Sequence, residues 1–441
     1  MPSPPRGATP PNVMLVSLRL FTAVLLLIAA VSSGCGRGPV AATGRTIRVW
    51  SHQGQEAENA AMRAIAEAFN AAHAAEGLAV QLTFFPDFQY TEKVSIAAAA
   101  RDLPDAFELD GPLVARFVDA GLLAPLDPWI DEATRADFLP TILTQGTIGG
   151  RLYALGAFDS AVVLYYDREL LARADVRPAV PDTGWTWPEF VAACGKLQAA
   201  GIVPLALHMN ESADEWFTYA FSPVVWSGGG DLIAADGRRV RGVLASPENV
   251  RSLEAWQQLF TAGFAATDPI DPNPFGSGRV AMDWTGHWMA RSHVATFGSR
   301  LGVMRLPRLG PESVAPCGSW CWGVAAAAAR PELAAKWLRW VTDSRHGVEP
   351  MVRANGAVPA RRSAFAAFPE YDDEPYRLFR QQLEAGARPR PRTPHYATLT
   401  RHFAAALRDI ARGVEVADRL RSAADEIQRE IDRRARTEDG L

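Results

Sequence analysis

Thr46-Ile47-Arg48-Val49-Trp50-Ser51-His52-Gln53-Gly54-Gln55-Glu56 opens the part of the chain that sets the fold. Ile47 and Val49 alternate with polar neighbours across Thr46–Trp50, the period-two mark of a strand. Residues 56–75 then put Met62, Ile65, Ala66 and Phe69 on one helical face, and Gly77 supplies a C-terminal stop. Residues 79–85 are again β-rich, 91–100 are Ala-rich and helical, and 105–109 form a short apolar run after Pro104. Strand, helix, strand, helix, strand in this order predicts an α/β fold with right-handed crossovers and helices on both faces of a parallel sheet. Such sheets hold ligands outside the carboxyl ends of their strands. Here those ends are 51–55, 86–90 and 110–111, all polar or aromatic.

Toward the N-terminus the pattern is an address. Arg19 precedes the apolar run 20–31, which is far short of the roughly 20 residues a permanent membrane helix needs. Arg6 and Arg19 ahead of that run and small residues after it make it an export signal. Val31-Ser32-Ser33-Gly34-Cys35 resembles a bacterial lipobox, with Ser32 where leucine is usual; the alternative is an ordinary cleavage site with Cys35 a bystander. Residues 36–45 are then a small-residue tether.

The rest of the 441 residues continues the α/β theme and is long enough for two or three domains. Hydrophobic residues make up 48% and charged residues 21%, which excludes a mostly disordered chain. A formal charge of −4 without a basic run argues against nucleic acid as partner. Strands are expected at 161–166, 204–208, 280–284, 301–306 and 322–328, with helices at 187–200, 215–225, 247–262, 286–295 and 331–342. Residues 388–394 read as a Pro/Arg linker before two closing helices, 399–412 and 416–434. No phosphate loop, nucleophile elbow or metal-spaced His/Cys cluster occurs, so no cofactor and no metal is expected. Cys317 and Cys321 flank a Trp-rich turn; a disulfide between them is one alternative and two separate thiols the other.

In order and spacing the chain resembles the extracellular solute-binding proteins of ABC importers, in the sugar-binding group that includes maltose-binding proteins. The resemblance rests on Leu103-Pro104-Asp105-Ala106, Gly121-Leu122-Leu123-Ala124-Pro125-Leu126, Tyr153-Ala154-Leu155-Gly156 and Leu164-Tyr165-Tyr166-Asp167. Its strongest part is Phe275-Gly276-Ser277-Gly278-Arg279-Val280-Ala281-Met282 with Gly286-His287-Trp288, and Gly356-Ala357-Val358-Pro359-Ala360-Arg361 follows. It departs at Gly156, where the family usually has proline. The resemblance implies a two-lobed periplasmic-binding-protein-like (type II) fold with a hinge between the lobes. It puts residues 46–158 and 304–352 in one lobe and 159–303 and 353–441 in the other. The crossings would lie near 158–162, 301–307 and 353–358. It also implies a monomeric receptor, anchored by a lipid to a membrane in the periplasm or at the cell surface, that hands a sugar to the transmembrane subunits of an ABC permease.

A sugar presents hydroxyls at its ring edges and an apolar C–H face, so its site needs carboxylates or amides and aromatic planes. Thirteen tryptophans make the planes available. Trp288 in the Gly-x-Trp turn is the leading candidate through the resemblance, with a core tryptophan as the alternative. Trp320 and Trp322, two apart before an apolar strand, share a face. Asp159 in the first crossing, Asp110 at a strand end, and His52, Gln53 and Glu56 after the first strand are further candidates, each with a capping or hinge alternative. Trp226 and Arg361 complete the set. A second reading keeps an exported carbohydrate-active enzyme, with Asp110 and Asp159 as its acid and base.

Overall fold

The computed structural model describes residues 45–438. The export signal, Cys35 and residues 36–44 of the tether lie outside the described residues. Five strands form the first sheet, in the order Ala79–Pro86, Thr46–Gln53, Ala106–Asp110, Trp320–Val324, Ala154–Leu155. Thr46–Gln53 runs parallel to Ala106–Asp110, with Val49 beside Ala106, and the helix Glu56–Ala72 connects it to Ala79–Pro86. This is the βαβαβ start expected from the sequence. Trp320–Val324 then enters antiparallel from far along the chain, with Trp320 opposite Asp110 and Trp322 opposite Glu108. It begins two residues before the expected strand and ends at Val324.

A second sheet has the order Leu301–Met304, Val162–Asp167, Val280–Gly286, Val203–Ala206. Val280–Gly286 is buried at all seven positions and Val162–Asp167 at all six, as befits strands covered on both faces. Alternation sorts their side chains. Val162, Leu164 and Tyr166 enter one apolar cluster, while Val163 and Tyr165 enter the other. Three small ladders lie outside both sheets: Phe158–Asp159 antiparallel to Val358–Pro359, Pro316–Cys317 parallel to Arg388–Pro389, and Thr147–Ile148 antiparallel to Arg151–Leu152. The second corrects the linker reading of 388–394. Arg-Pro alternation does not block pairing at a sheet edge, where a missing N–H costs little.

Cys317 and Cys321 are free thiols, not a disulfide. Gly318 between them takes φ +150°, and the two thiols end in different apolar clusters. Cys317 Sγ bonds the Ala387 carbonyl at 3.2 Å.

Candidate functional site

A cavity of about 650 Å³ lies at the carboxyl edge of the first sheet, faced from the other side by the helix Asp214–Ser227 and the turn after Val280–Gly286. The first sheet supplies His52 and Gln53, Asp110, and Ser319 with Trp320. The helix Asp214–Ser227 supplies Glu215, Trp216 and Tyr219, which fall on one face at i, i+1 and i+4. His287 and Trp288 follow the strand Val280–Gly286 directly, and Phe158, Ser160, Gly318 and Arg390 come from the connecting segments.

Trp288 is 38% exposed, unusual for so large an apolar ring. A Cβ on Gly286 would stand 2.1 Å from its ring, so glycine there lets the indole lie against the backbone. Trp216 meets it edge-on, with centroids 6.1 Å apart, and Tyr219 lies 6.2 Å away. What is left open faces the cleft. Trp320 is stacked on His52 at 3.9 Å and 9°, so one of its faces is already taken by the imidazole. His52 Nδ1 sits 2.8 Å from the buried Glu108 carboxylate, which also accepts from Ser51 Oγ at 2.6 Å.

At the cavity floor Arg390, with its side chain 5% exposed, binds two carboxylates, Asp110 at a strand end and Glu215 at a helix start. Its Nη2 and Nη1 donate to Asp110 at 2.6 and 2.9 Å, and Nη1 also donates to Glu215. Tyr396 Oη donates to Glu215 as well. Burial opposes a charge on Arg390, but Asp110 and Glu215 outweigh it and hold its pKa well above the ordinary value. Burial raises the Glu215 pKa; the guanidinium opposes this and the Asp110 charge adds to it. His287, 7% exposed, is pushed down to about 3 by burial, with Arg291 contributing, so it is neutral.

Of the residues singled out from sequence, Trp288, Trp320, Asp110, His52 and Gln53 come together on the cavity wall. Five do not. Trp322 is 2% exposed and packs edge-on against Trp337, two residues deeper along the strand than Trp320. Glu56 points into solvent and pairs with Arg63 at 3.0 Å, serving the helix start. Trp226 lies under the Arg388 guanidinium in a separate cavity of about 390 Å³. Arg361 stacks over Phe138 at 4.2 Å and pairs with Asp137 at 3.3 Å, holding loops together.

Asp159 is fully buried behind the wall. It accepts from Ser160 N at 2.8 Å, Gly318 N at 3.1 Å and Gln145 Nε2 at 3.2 Å, so it holds the segment carrying Ser160 and Gly318. Burial raises its pKa to about 6, against those hydrogen bonds. A folded pKa above the unfolded one means that folding takes up a proton, so this group adds stability as pH falls from about 6 toward 4. The increment is roughly 3 kcal/mol over that window. Asp159→Asn is expected to abolish it, read as a melting temperature that no longer gains this contribution between pH 6 and pH 4.

Sequence reading missed Arg390, Glu215, Trp216, Tyr219, His287 and Ser160. Glu215, Trp216 and Tyr219 carried a usable signal, an acid and two aromatics on one face of a helix start. Arg390 carried none.

An aromatic, polar cavity at the carboxyl ends of an α/β sheet, faced by the turn after a strand of a second sheet, is the arrangement of a two-lobed α/β binding-protein fold. Residues 53–346 match the model of the bacterial extracellular solute-binding proteins, and the chain belongs to that family. The diacetylchitobiose binding protein DasA of Streptomyces coelicolor is 23% identical over 286 residues, 62% of this chain and 64% of that one. The chain spans less than two thirds of the length of the curated relatives it matches. Among solved structures, the GacH receptor of Streptomyces glaucescens, known unliganded and with acarbose, superposes with a TM-score of 0.72 at 24% identity, over 88% of this chain and 98% of that one. The sugar-binding protein MalE of Xanthomonas citri gives 0.77 at 17% identity, over 90% and 100%. Among the described residues no helix is long and apolar enough to cross a membrane.

Proposed function

We propose that the chain is the receptor of an ABC importer, taking a saccharide into the cleft and releasing it unaltered to the permease. The single observation that carries this is the part-exposed Trp288 indole, held by Gly286, Trp216 and Tyr219 among carboxylates and amides. An open aromatic face beside hydrogen-bonding groups fits a sugar's C–H face and hydroxyls together. Relatives named for binding a chitobiose derivative or acarbose support the same class of solute.

The lobes we assign are residues 46–158 with 304–352 and 159–303 with 353–441. Closure between them favours whichever solute makes its contacts in the closed state. The lipobox-like Cys35 supports a lipid anchor on the outer side of a membrane. Catalysis by an Asp110–Asp159 pair is disfavoured, because Asp110 is tied to Arg390 and Asp159 accepts backbone N–H groups away from the cavity wall.

Trp288→Ala is expected to weaken saccharide binding by about 1–3 kcal/mol while the melting temperature of the free protein holds. Titration calorimetry returning wild-type affinity for the variant would remove Trp288 from the site. Release of a cleaved or modified sugar on prolonged incubation would overturn the receptor reading.

A further inference from the structure

We propose that the Asp110–Arg390–Glu215 cluster makes the cleft a charge filter, admitting an uncharged saccharide and turning away the anionic analogue of similar size. This rests on the saccharide reading above and names which members of that class enter. Three acids, Glu58, Asp110 and Glu215, line the cavity against a single arginine. Recognition of a sugar acid or phosphate calls for a guanidinium with free N–H groups to offer in pairs. Both Nη atoms of Arg390 are already given to Asp110 and Glu215, and its Nε, though without a partner, is buried out of reach of the cleft, so no pair of N–H groups is offered there.

Neighbouring cations do not replace it. Arg291, near enough to His287 to oppose its protonation, turns both Nη atoms onto the carbonyls of Val352, Arg353 and Ala354. Arg388 and Arg392 belong to the adjacent cavity, where one pairs with Asp231 and the other with the Thr144 and Thr147 carbonyls. His287 is held neutral by its burial, as derived above.

What the wall does offer suits a neutral polyol. Carboxylate oxygens of Asp110 and Glu58 accept from hydroxyls, and Gln53 and Asn355 donate or accept. Nδ1 of His287, on the wall and more than nine-tenths buried, has no hydrogen-bond partner. A sugar hydroxyl satisfies it in either tautomer, whereas a carboxylate brings another negative charge beside an acidic surplus in a partly desolvated site.

The test is calorimetry and thermal shift on the full mature chain. Neutral disaccharides (maltose, cellobiose, lactose) are each compared with the aldonate made by oxidising the reducing end, and digalacturonate and glucose 6-phosphate are added. The expected result is that every stabilising saccharide is uncharged and that its aldonate binds about tenfold or more weakly. In Glu58→Gln, whose amide oxygen still accepts from Gln55 N at the helix start while the Asn355 Nδ2 bond to the other oxygen is given up, that gap narrows and the protein stays folded. An aldonate binding as tightly as its parent, or digalacturonate or the sugar phosphate as the best ligand, overturns the filter while leaving the saccharide reading intact. Failure of every saccharide, charged or not, overturns the saccharide reading and the filter with it.

Discussion

Arg390→Met is expected to destabilise the protein by about 3 kcal/mol at pH 7, the cost of leaving two half-buried carboxylates side by side without their cation. The side chain it replaces is buried and joins Asp110, at the end of a first-sheet strand, to Glu215, at the start of helix Asp214–Ser227. Methionine fills similar space, so the loss reports charge rather than a cavity. Two further results separate these. The destabilisation shrinks as pH falls below about 5, where the orphaned carboxyls take up protons. The triple variant Asp110→Asn, Arg390→Met, Glu215→Gln recovers most of the loss, since removing all members of a buried ionic cluster costs far less than removing one. Thermal and chemical melts of Arg390→Met within about 1 kcal/mol of wild type would show that the cluster does not hold the strand end to the helix start.

His287 makes the second large contribution. Its pKa is held near 3 by burial, against an unfolded imidazole near 6.5. As pH falls between those values the unfolded chain gains a proton that the folded protein refuses, so stability drops by about 1.4 kcal/mol per pH unit and by as much as roughly 5 in all. Asp159 has the opposite sign between pH 6 and pH 4, where its own pKa near 6 adds stability on acidification. The two slopes nearly cancel in wild type. His287→Phe therefore uncovers the Asp159 slope, and stability of the variant is expected to rise from pH 6 to pH 4. An unchanged profile, followed by melting temperature across that range, would place His287 in water rather than in the wall. Asp159→Asn uncovers the reverse slope, a steeper acid loss.

The helix turn at Asp214 shows where local reading reached its limit. Its helical period was plain, and the same period puts Glu215, Trp216 and Tyr219 on one face. Nothing local says that this face turns toward the cleft, because helix Asp214–Ser227 is buried on every side from Trp216 onward. Trp320 and Trp322 make the same point at a strand. Period two gave them a common face, but depth along the strand separated a cavity wall from a core contact with Trp337.

The amino-acid order alone determined the α/β alternation and the polar strand ends His52, Gln53 and Asp110, because each is written in periodicity; Trp288 came only through the family resemblance. Tertiary structure alone decided the cleft floor. Arg390 sits 280 residues from Asp110 and 175 from Glu215, in a segment whose Arg-Pro alternation reads as a linker. A buried cation is stable only where its counter-charges arrive from elsewhere in the fold, and no local rule of sequence records their arrival.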